Sequence, residues 1–541
     1  MPIKSSRPNV VIPEGSVYEL LFGNLDPADE NRIAIIDSAT GSETTYGQLK
    51  AMIDAFAGAL TARGVQPHDV VALHCPNTLM FAVVFHGILR AGSTVTTVAS
   101  LATAQDIEKQ LRDSQAKLVI TTSMLGPAGL QAAEAVGISE DNVIDLTAPA
   151  GEVTTFQSLL AEGHQPPEVQ INGATHIAAL PYSSGTTGNP KGVMLSHRNL
   201  GANIAQLIPA LDTVGLRRDS TVMAVLPFFH IYGMNVLLNN TLAARATLVT
   251  APKFDLPQFL ELHQKHNIDF SFIAPPIAVA LAKHPIVDNY DLSALKNIQS
   301  GAAPLSRELA DAVEKRLNVH VVQGFGMTEA SPVTHNSIWG VTPIESIGAS
   351  VANTECKVVD LAQPDLPEIL PPSQGDLRSA AGEMWVRGPQ VMVGYLNNEE
   401  ATRNTLTEDG WLRTGDVVEY DANGIVFVVD RAKELIKYKG YQVAPAELEA
   451  LLLGREDISD VAVVGFTRPE DGEEVPRAFI VPQADSAGQT LVLDPEEIMA
   501  WVSERVSGYK KVRMVEFTDA IPKSATGKIL RKELKVRPVT S

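Results

Sequence analysis

At 541 residues, with 45% apolar and 20% charged residues, the chain is long enough for several domains or subdomains and apolar enough to bury a core in each. Its 63 acids against 43 lysines and arginines give a formal charge of -20, which argues against nucleic acid or an anionic membrane as the main partner. The two cysteines, Cys75 and Cys356, lie far apart with no histidine cluster near them, so neither a disulfide framework nor a zinc site is indicated.

No apolar run approaches the roughly 18 residues of a spanning helix, so no integral membrane span is expected. The opening MPIKSSRPNVVIPEG has no apolar signal core, the closing PVTS matches no retention signal, and a soluble cytoplasmic protein is expected. From residue 45 the pattern alternates between helix and strand. Leu49, Ile53, Phe56 and Leu60 share one helix face that stops at Gly64, and the short apolar run Val70 to Leu73 follows. The alternation continues to about residue 360 and predicts an α/β fold of layered subdomains with largely parallel sheets.

Within this stretch, Ser183 to Gly192 reads SSGTTGNPKG. Glycines free the backbone N–H groups to point inward, Ser183, Ser184, Thr186 and Thr187 add hydroxyl donors, and Lys191 adds charge, a composition suited to phosphate oxygens. It is not a Walker loop, because Pro190 and Gly192 flank the lysine. A Pro-rich segment, Leu361 to Ala381, predicts a long exposed loop. Apolar runs either side of Asp421-Ala-Asn-Gly424 predict a hairpin leading into Arg431-Ala-Lys433. The domain boundary is placed there, giving residues 1–430 and a small α+β domain over 431–541. The small domain is predicted to hold a Pro-started helix from Pro445 to about Leu453, strands at Val461 to Phe466 and Ala478 to Val481, and a helix capped by Asp494. Its tail is locally basic, from Lys510 to Arg537, as either a solvated face or a surface meeting an anionic ligand.

Five further segments follow the hydroxyl-rich loop in order: PFFHIYG (227–233), QGFGMTE (323–329), GWLRTGD (410–416), DRAKELIKYKG (430–440) and PKSATGK (522–528). The ordered set resembles the adenylate-forming superfamily of acyl-CoA synthetases, luciferases and peptide-synthetase adenylation domains. Its wording is most similar to 4-coumarate:CoA ligases through LPFFHIYG, SGAAPL, QGFGMTEASPV, ELIKYKGYQVAPAELEALLL and IPKSATGKILRKEL. The resemblance implies a two-step reaction using ATP, Mg²⁺ and coenzyme A, in which a small carboxylic acid is adenylated and then transferred to the thiol. Adenylation makes a poor leaving oxygen into a good one, and it needs positioning and charge neutralisation more than covalent help.

By position in these motifs, the resemblance implies that Ser183, Ser184, Gly185, Thr186, Thr187, Gly188 and Lys191 hold the β- and γ-phosphates, that Thr328 holds the α-phosphate, and that Glu329 ligates Mg²⁺. Gln323, Gly324 and Phe325 would lie along the nucleotide, Phe325 stacking on adenine, with Asp416 and Arg431 on the ribose. Lys528 would reach the α-phosphate and carboxylate oxygens, and His230 would stand between the nucleotide and acyl sites. The small domain would be mobile about a hinge near Lys433, swapping Lys528 for the thioester-forming face of Lys437, Lys439, Gly440 and Gln442, while Lys253 would contact coenzyme A. Ile231, Tyr232, Val236, Ala302, Gly324, Gly326, Pro332 and Val333 would line the acyl pocket, with Gln299 and Asn336 deeper.

Tyr232 and Gln299 offer polar atoms for a phenolic hydroxyl, although Gln299 replaces the Lys or Met often found there. Gly233, Val236, the GEMWVRG segment (382–388) and the Thr96 to Ala102 segment also depart from the plant wording. A hydroxycinnamic acid is the expected substrate. The alternatives are a medium or long-chain fatty acid, transfer to a carrier-protein phosphopantetheine, a luciferase-like oxygenase, or a catalytically silent nucleotide-binding protein. A lysine acetyltransferase and deacetylase acting at Lys528 would be further partners, since acetylation removes the charge that adenylation needs.

Overall fold

The computed structural model describes residues 2–147, 155–183, 190–373, 377–439, 441–468, 473–484, 489–524 and 527–538. The first amphipathic segment forms the helix Tyr46–Ala62, started by a capping box in which the Thr45 hydroxyl accepts the Gln48 N–H and Gln48 returns the bond. Leu49, Ile53, Phe56 and Leu60 are all buried on it. Strand Val70–Leu73 follows as the pattern predicts, and its apolar run on both faces marks a parallel strand covered from both sides.

Two large mixed sheets carry the N-terminal domain. One sets five parallel strands side by side: Ile177–Ala179, Thr94–Thr97, Val70–Leu73, Leu118–Thr121 and Val143–Asp145. Antiparallel Lys191–Ser196 joins its edge. The other aligns six parallel strands: His320–Gly326, Asn297–Ser300, Phe270–Ile273, Thr221–Ala224, Thr247–Thr250 and Ile33–Asp37. Val333–Asn336 returns antiparallel beside His320–Gly326. A continuous apolar core packs the two sheets and their helices together.

The expectation of largely parallel sheets holds for these two and ends there. A third sheet is wholly antiparallel, built from Glu355–Val359, Gly382–Arg387, Leu412–Tyr420 and Val426–Arg431, with Ile3–Lys4 and Glu368–Ile369 at its edge. The Pro-rich segment is therefore not a bare loop, because Glu368–Ile369 pairs with the end of Glu355–Val359. The hairpin turn falls where predicted, with Gly424 at φ +75.

The small C-terminal domain has its own core, drawn from Ile436, Val443, Leu448, Leu452, Val461, Val463, Ile480, Ile498 and Val502 among others. Helices Pro445–Leu453 and Pro495–Ser503 begin at prolines, as predicted, and Asp494 caps the second by accepting the Glu496 N–H. They pack beside Ile458–Thr467 and Glu474–Pro482, an antiparallel pair joined in parallel by Met514–Phe517. Cys75 and Cys356 are buried thiols. Among the described residues no helix is long and apolar enough to cross a membrane.

Candidate active site

Parallel strands open their carboxyl ends to ligands because the following loops diverge there. The motif residues gather at those ends. PFFHIYG follows Thr221–Ala224, SGAAPL begins at the end of Asn297–Ser300, and QGFG closes His320–Gly326.

The hydroxyl-rich loop is held by its stems. Tyr182 and Ser183 pair with Gly192 and Lys191 in antiparallel register. Ser184, Gly185, Thr186, Thr187 and Gly188 lie outside the described residues, as does Gly440. The Lys191 ammonium sits 4.9 Å from the centre of the Tyr395 ring, whose hydroxyl donates to Glu329 Oε1 at 2.8 Å. This chain ties the loop stem to the buried carboxylate. Tyr395 belongs to no motif recognised in the sequence; its two-residue strand Gly394–Tyr395 pairs with Val193 and Met194, partners some 200 positions away.

Thr328 opens a short 3-10 turn, half-buried beside Glu329, and Phe325 is half-buried with its ring edge-on to His335. Gln323 has a different part. Its side-chain Oε1 accepts the Leu305 N–H and its Nε2 donates to the carbonyls of Leu305 and Ile344, so the amide braces the SGAAPL loop.

Asp416 and Arg431 face each other across neighbouring strands, with Asp416 Oδ1 3.2 Å from Arg431 Nε. Asp416 is buried, and its Oδ2 has no partner among the described residues. Burial pushes its carboxyl up to about 6, against the opposing pull of Arg431 and Lys528. A buried acceptor without a donor is what two ribose hydroxyls would satisfy.

Lys528 lies on a tight turn in which Ser524 N–H donates to the Lys528 carbonyl and Lys528 N–H to Ser524 Oγ. It is half-buried; its pKa is lowered by burial and Arg431, while Glu434 and Asp416 pull it upward. His230 feels this ammonium too: burial and then Lys528 bring its imidazole down to about 4. Nδ1 accepts the Tyr232 N–H at 3.3 Å, leaving the ring neutral with its proton on Nε2. The structure thus brings His230, Asp416, Arg431 and Lys528 together.

The acyl-pocket candidates begin at the next turn. Tyr232–Asn239 is a π-helix, and a Cβ on Gly233 would stand 2.0 Å from the Pro227 carbonyl oxygen, which excludes any other residue there. Ile231, Tyr232, Val236 and Val333 are all buried, and a Cβ on Gly326 would stand 2.4 Å from the Pro332 carbonyl oxygen. The Tyr232 hydroxyl donates to the Gln299 carbonyl at 3.2 Å. Gln299 Nε2 donates to Asn336 Oδ1 at 2.8 Å, and Gln299 Oε1 is buried with no donor among the described residues. Gly324 lies against this pair with no room for a side chain, since a Cβ there would approach Gln299 Nε2 to 2.9 Å and Asn336 Oδ1 to 3.2 Å. Ala302 is exposed at φ +70, on the rim rather than in the depth.

The remaining candidates are not in this cluster. Lys253 and Lys433 are exposed. Lys437 and Gln442 pair across the hairpin Ile436–Tyr438 and Tyr441–Val443, both exposed, while the Lys437 and Lys439 N–H groups donate to Glu474 and Glu473 of the small domain. The tail's cations are largely engaged at home: Lys510 pairs with Glu447, Lys523 with Asp460, and Arg531 with Glu434 and Glu449.

The AMP-binding enzyme family profile matches residues 27–396, and that of the AMP-binding enzyme C-terminal domain matches residues 447–528. The 4-coumarate--CoA ligase 5 of Oryza sativa subsp. japonica is 40% identical, covering 99% of this chain and 97% of that protein. The 4-coumarate--CoA ligase 1 of Solanum tuberosum is also 40% identical, over 99% and 96%. Among solved structures, ATP-bound MatB from Rhodopseudomonas palustris superposes with a TM-score of 0.84 at 26% identity, covering 97% of this chain and 98% of that one. The anthranilate CoA ligase AuaEII in complex with anthranoyl-AMP reaches a TM-score of 0.86 at 23% identity over 97% of each chain, a likeness of fold. With this full-length similarity and the convergence of the motif side chains, the chain belongs to the AMP-binding enzyme family.

Proposed function

We propose that the protein is an ATP-dependent acid–thiol ligase of the 4-coumarate type, joining a para-hydroxylated cinnamic acid to coenzyme A. In the first step a carboxylate oxygen attacks the α-phosphorus of ATP and pyrophosphate leaves. In the second, the thiol sulfur attacks the acyl carbon, loses its proton, and AMP leaves with the original carboxylate oxygen. Asp416 and Arg431 orient the ribose, Lys528 neutralises charge on the oxygens around the α-phosphorus, and neutral His230 presents an N–H donor between the two sites. Glu329 suits Mg²⁺, a hard cation that takes few protein oxygens and fills its other positions from phosphate and water. No group of three or more His, Cys, Asp or Glu that could hold a metal occurs among the described residues. When bound, the ion neutralises phosphate charge.

The choice of acid is carried by one observation, the buried Gln299 Oε1 without a donor. Tyr232 has spent its proton on the Gln299 carbonyl, so its oxygen too can only accept. A phenolic hydroxyl donates to such a pocket end, whereas an alkyl terminus leaves the acceptor unsatisfied. The division at residues 430 and 431, the hinge at Lys433 and the second-step role of Lys437, Lys439, Gly440 and Gln442 complete the reading. The exposure of Lys437, Lys439 and Gln442 in this pose fits a face that is used after the small domain turns. Acetylation of Lys528 by a lysine acetyltransferase would switch off the first step.

The test is incubation with ATP, Mg²⁺, coenzyme A and a panel of cinnamic, benzoic and C6 to C18 fatty acids, with AMP and acyl-CoA read by mass spectrometry. Preference for 4-coumarate and its hydroxylated relatives is expected. Preference for alkyl chains overturns the acid, and absence of AMP with every acid overturns the ligase reading.

A further inference from the structure

The helix Pro445–Leu453 cannot cap itself. Ala444 stands at its N-cap position and bonds nothing through its side chain. The missing acceptor comes from the last strand of the antiparallel sheet, where Asp430 Oδ2 accepts the Ala446 N–H at 3.0 Å and Oδ1 accepts the Arg431 N–H at 2.6 Å. At the opposite pole, Lys283 donates to the carbonyls of Leu453 at 3.3 Å and Ile458 at 2.9 Å. A carboxylate at the positive end and an ammonium at the negative end is the favourable polarity for a helix dipole.

Lys283 is the last residue of the helix Pro275–Lys283 in the large domain. The start of that helix touches the small domain as well, since a Cβ on Gly527 would lie 3.0 Å from Pro276 Cγ and 3.6 Å from Ala274 Cβ. One helix therefore meets the small domain twice, beside Lys528 at its beginning and through Lys283 at its end. The ammonium is half-buried among Asp457, Asp460 and Glu456; Asp457 is paired with Arg455 and Asp460 with Lys523, while the two carbonyls accept from Lys283 directly.

We propose that Lys283 is a positioning residue for the first half-reaction: it clamps the Pro445–Leu453 helix across the domain boundary, holds the pose that seats Lys528, and releases when the small domain turns. This rests on the two-step reading above. Losing a charged donor to two carbonyls removes stabilisation from one pose only, so the two half-reactions respond differently.

The experiment compares Lys283→Arg, Lys283→Met and Lys283→Glu with the wild-type chain, using the panel acid that the wild type adenylates fastest. ATP–pyrophosphate exchange reads the first step, and thioester formation from coenzyme A and the synthetic acyl-adenylate of that acid reads the second. Exchange is expected to fall about tenfold in Lys283→Met, further in Lys283→Glu, and to be largely retained in Lys283→Arg. Thioester formation should hold or rise in all three. Equal loss in both steps, or unchanged exchange in Lys283→Met, overturns the clamp. Limited proteolysis near residue 433 tests it without any activity: cleavage should quicken in Lys283→Met, and an unchanged rate also overturns it. A wild-type chain that adenylates no acid refutes the ligase reading instead, and the proteolysis still decides the clamp.

Discussion

Lys528 and Lys437 belong to the same small domain and carry the same side chain, yet the fold treats them oppositely. Lys528 is half-buried among Asp416, Arg431 and Glu434, and its charge reaches His230. Lys437 stands exposed on a short hairpin opposite Gln442, its backbone tied to Glu474. A cation taken partly out of water acts strongly on whatever faces it, while one in water is screened. In this pose the small domain turns Lys528 toward Asp416 and Arg431 and leaves Lys437 in water.

The largest expected effect breaks this comparison at its buried end. Lys528→Gln should lower ATP–pyrophosphate exchange by about a hundredfold or more, as loss of a preorganised charge typically does, while thioester formation from supplied acyl-adenylate is preserved. Lys437→Ala with Gln442→Ala should do the reverse, slowing only the second step by about tenfold. If both variants slow the same step, the two faces are not alternatives. Gln299→Leu extends the contrast to the acyl end: the preference for 4-coumarate over unsubstituted cinnamate, as the ratio of kcat/KM, should fall by about tenfold.

The smallest effect is read in protons. His86 is buried against Phe22 and Phe85 with both ring nitrogens unpartnered among the described residues, and burial brings its imidazole down to about 3. Below its unfolded value near 6.5 the unfolded chain binds the proton that the folded one refuses, so stability falls as pH drops from about 6.5 toward 3. His86→Leu should flatten that acid limb by at most about 1.4 kcal/mol per pH unit, measured by denaturant titration across pH.

Much of this was legible from residues alone where the signal is local. The Asp421 to Gly424 turn, the proline-started helices and the Asp494 cap each write their boundary into a few consecutive positions. Asp416, Arg431 and Lys528 were found through ordered motifs. Tyr395 and Lys283 escape because each acts on a partner distant in the chain, and nothing in their immediate neighbours announces it; Asp430 stands in a motif, but its bond to Ala446 does not show there. Motif membership sets Gln323 along the nucleotide, and the structure adds that its amide is engaged with two loop carbonyls and an N–H. The antiparallel sheet is legible only in its last hairpin, because Glu355–Val359 and Gly382–Arg387 pair across the Pro-rich segment and the edge strand Ile3–Lys4 comes from the opposite end of the large domain.

The borrowed cap on the Pro445–Leu453 helix gives one backbone amide an unusual meaning. The Ala446 N–H finds its acceptor in Asp430, just before the proposed hinge, so its hydrogen trades with deuterium from solvent only when that bond opens. If the small domain turns as proposed, the uptake rate of this amide clocks how long the domain stays seated. Saturating with a non-reactive nucleotide should slow that clock, and presenting coenzyme A with acyl-adenylate should speed it.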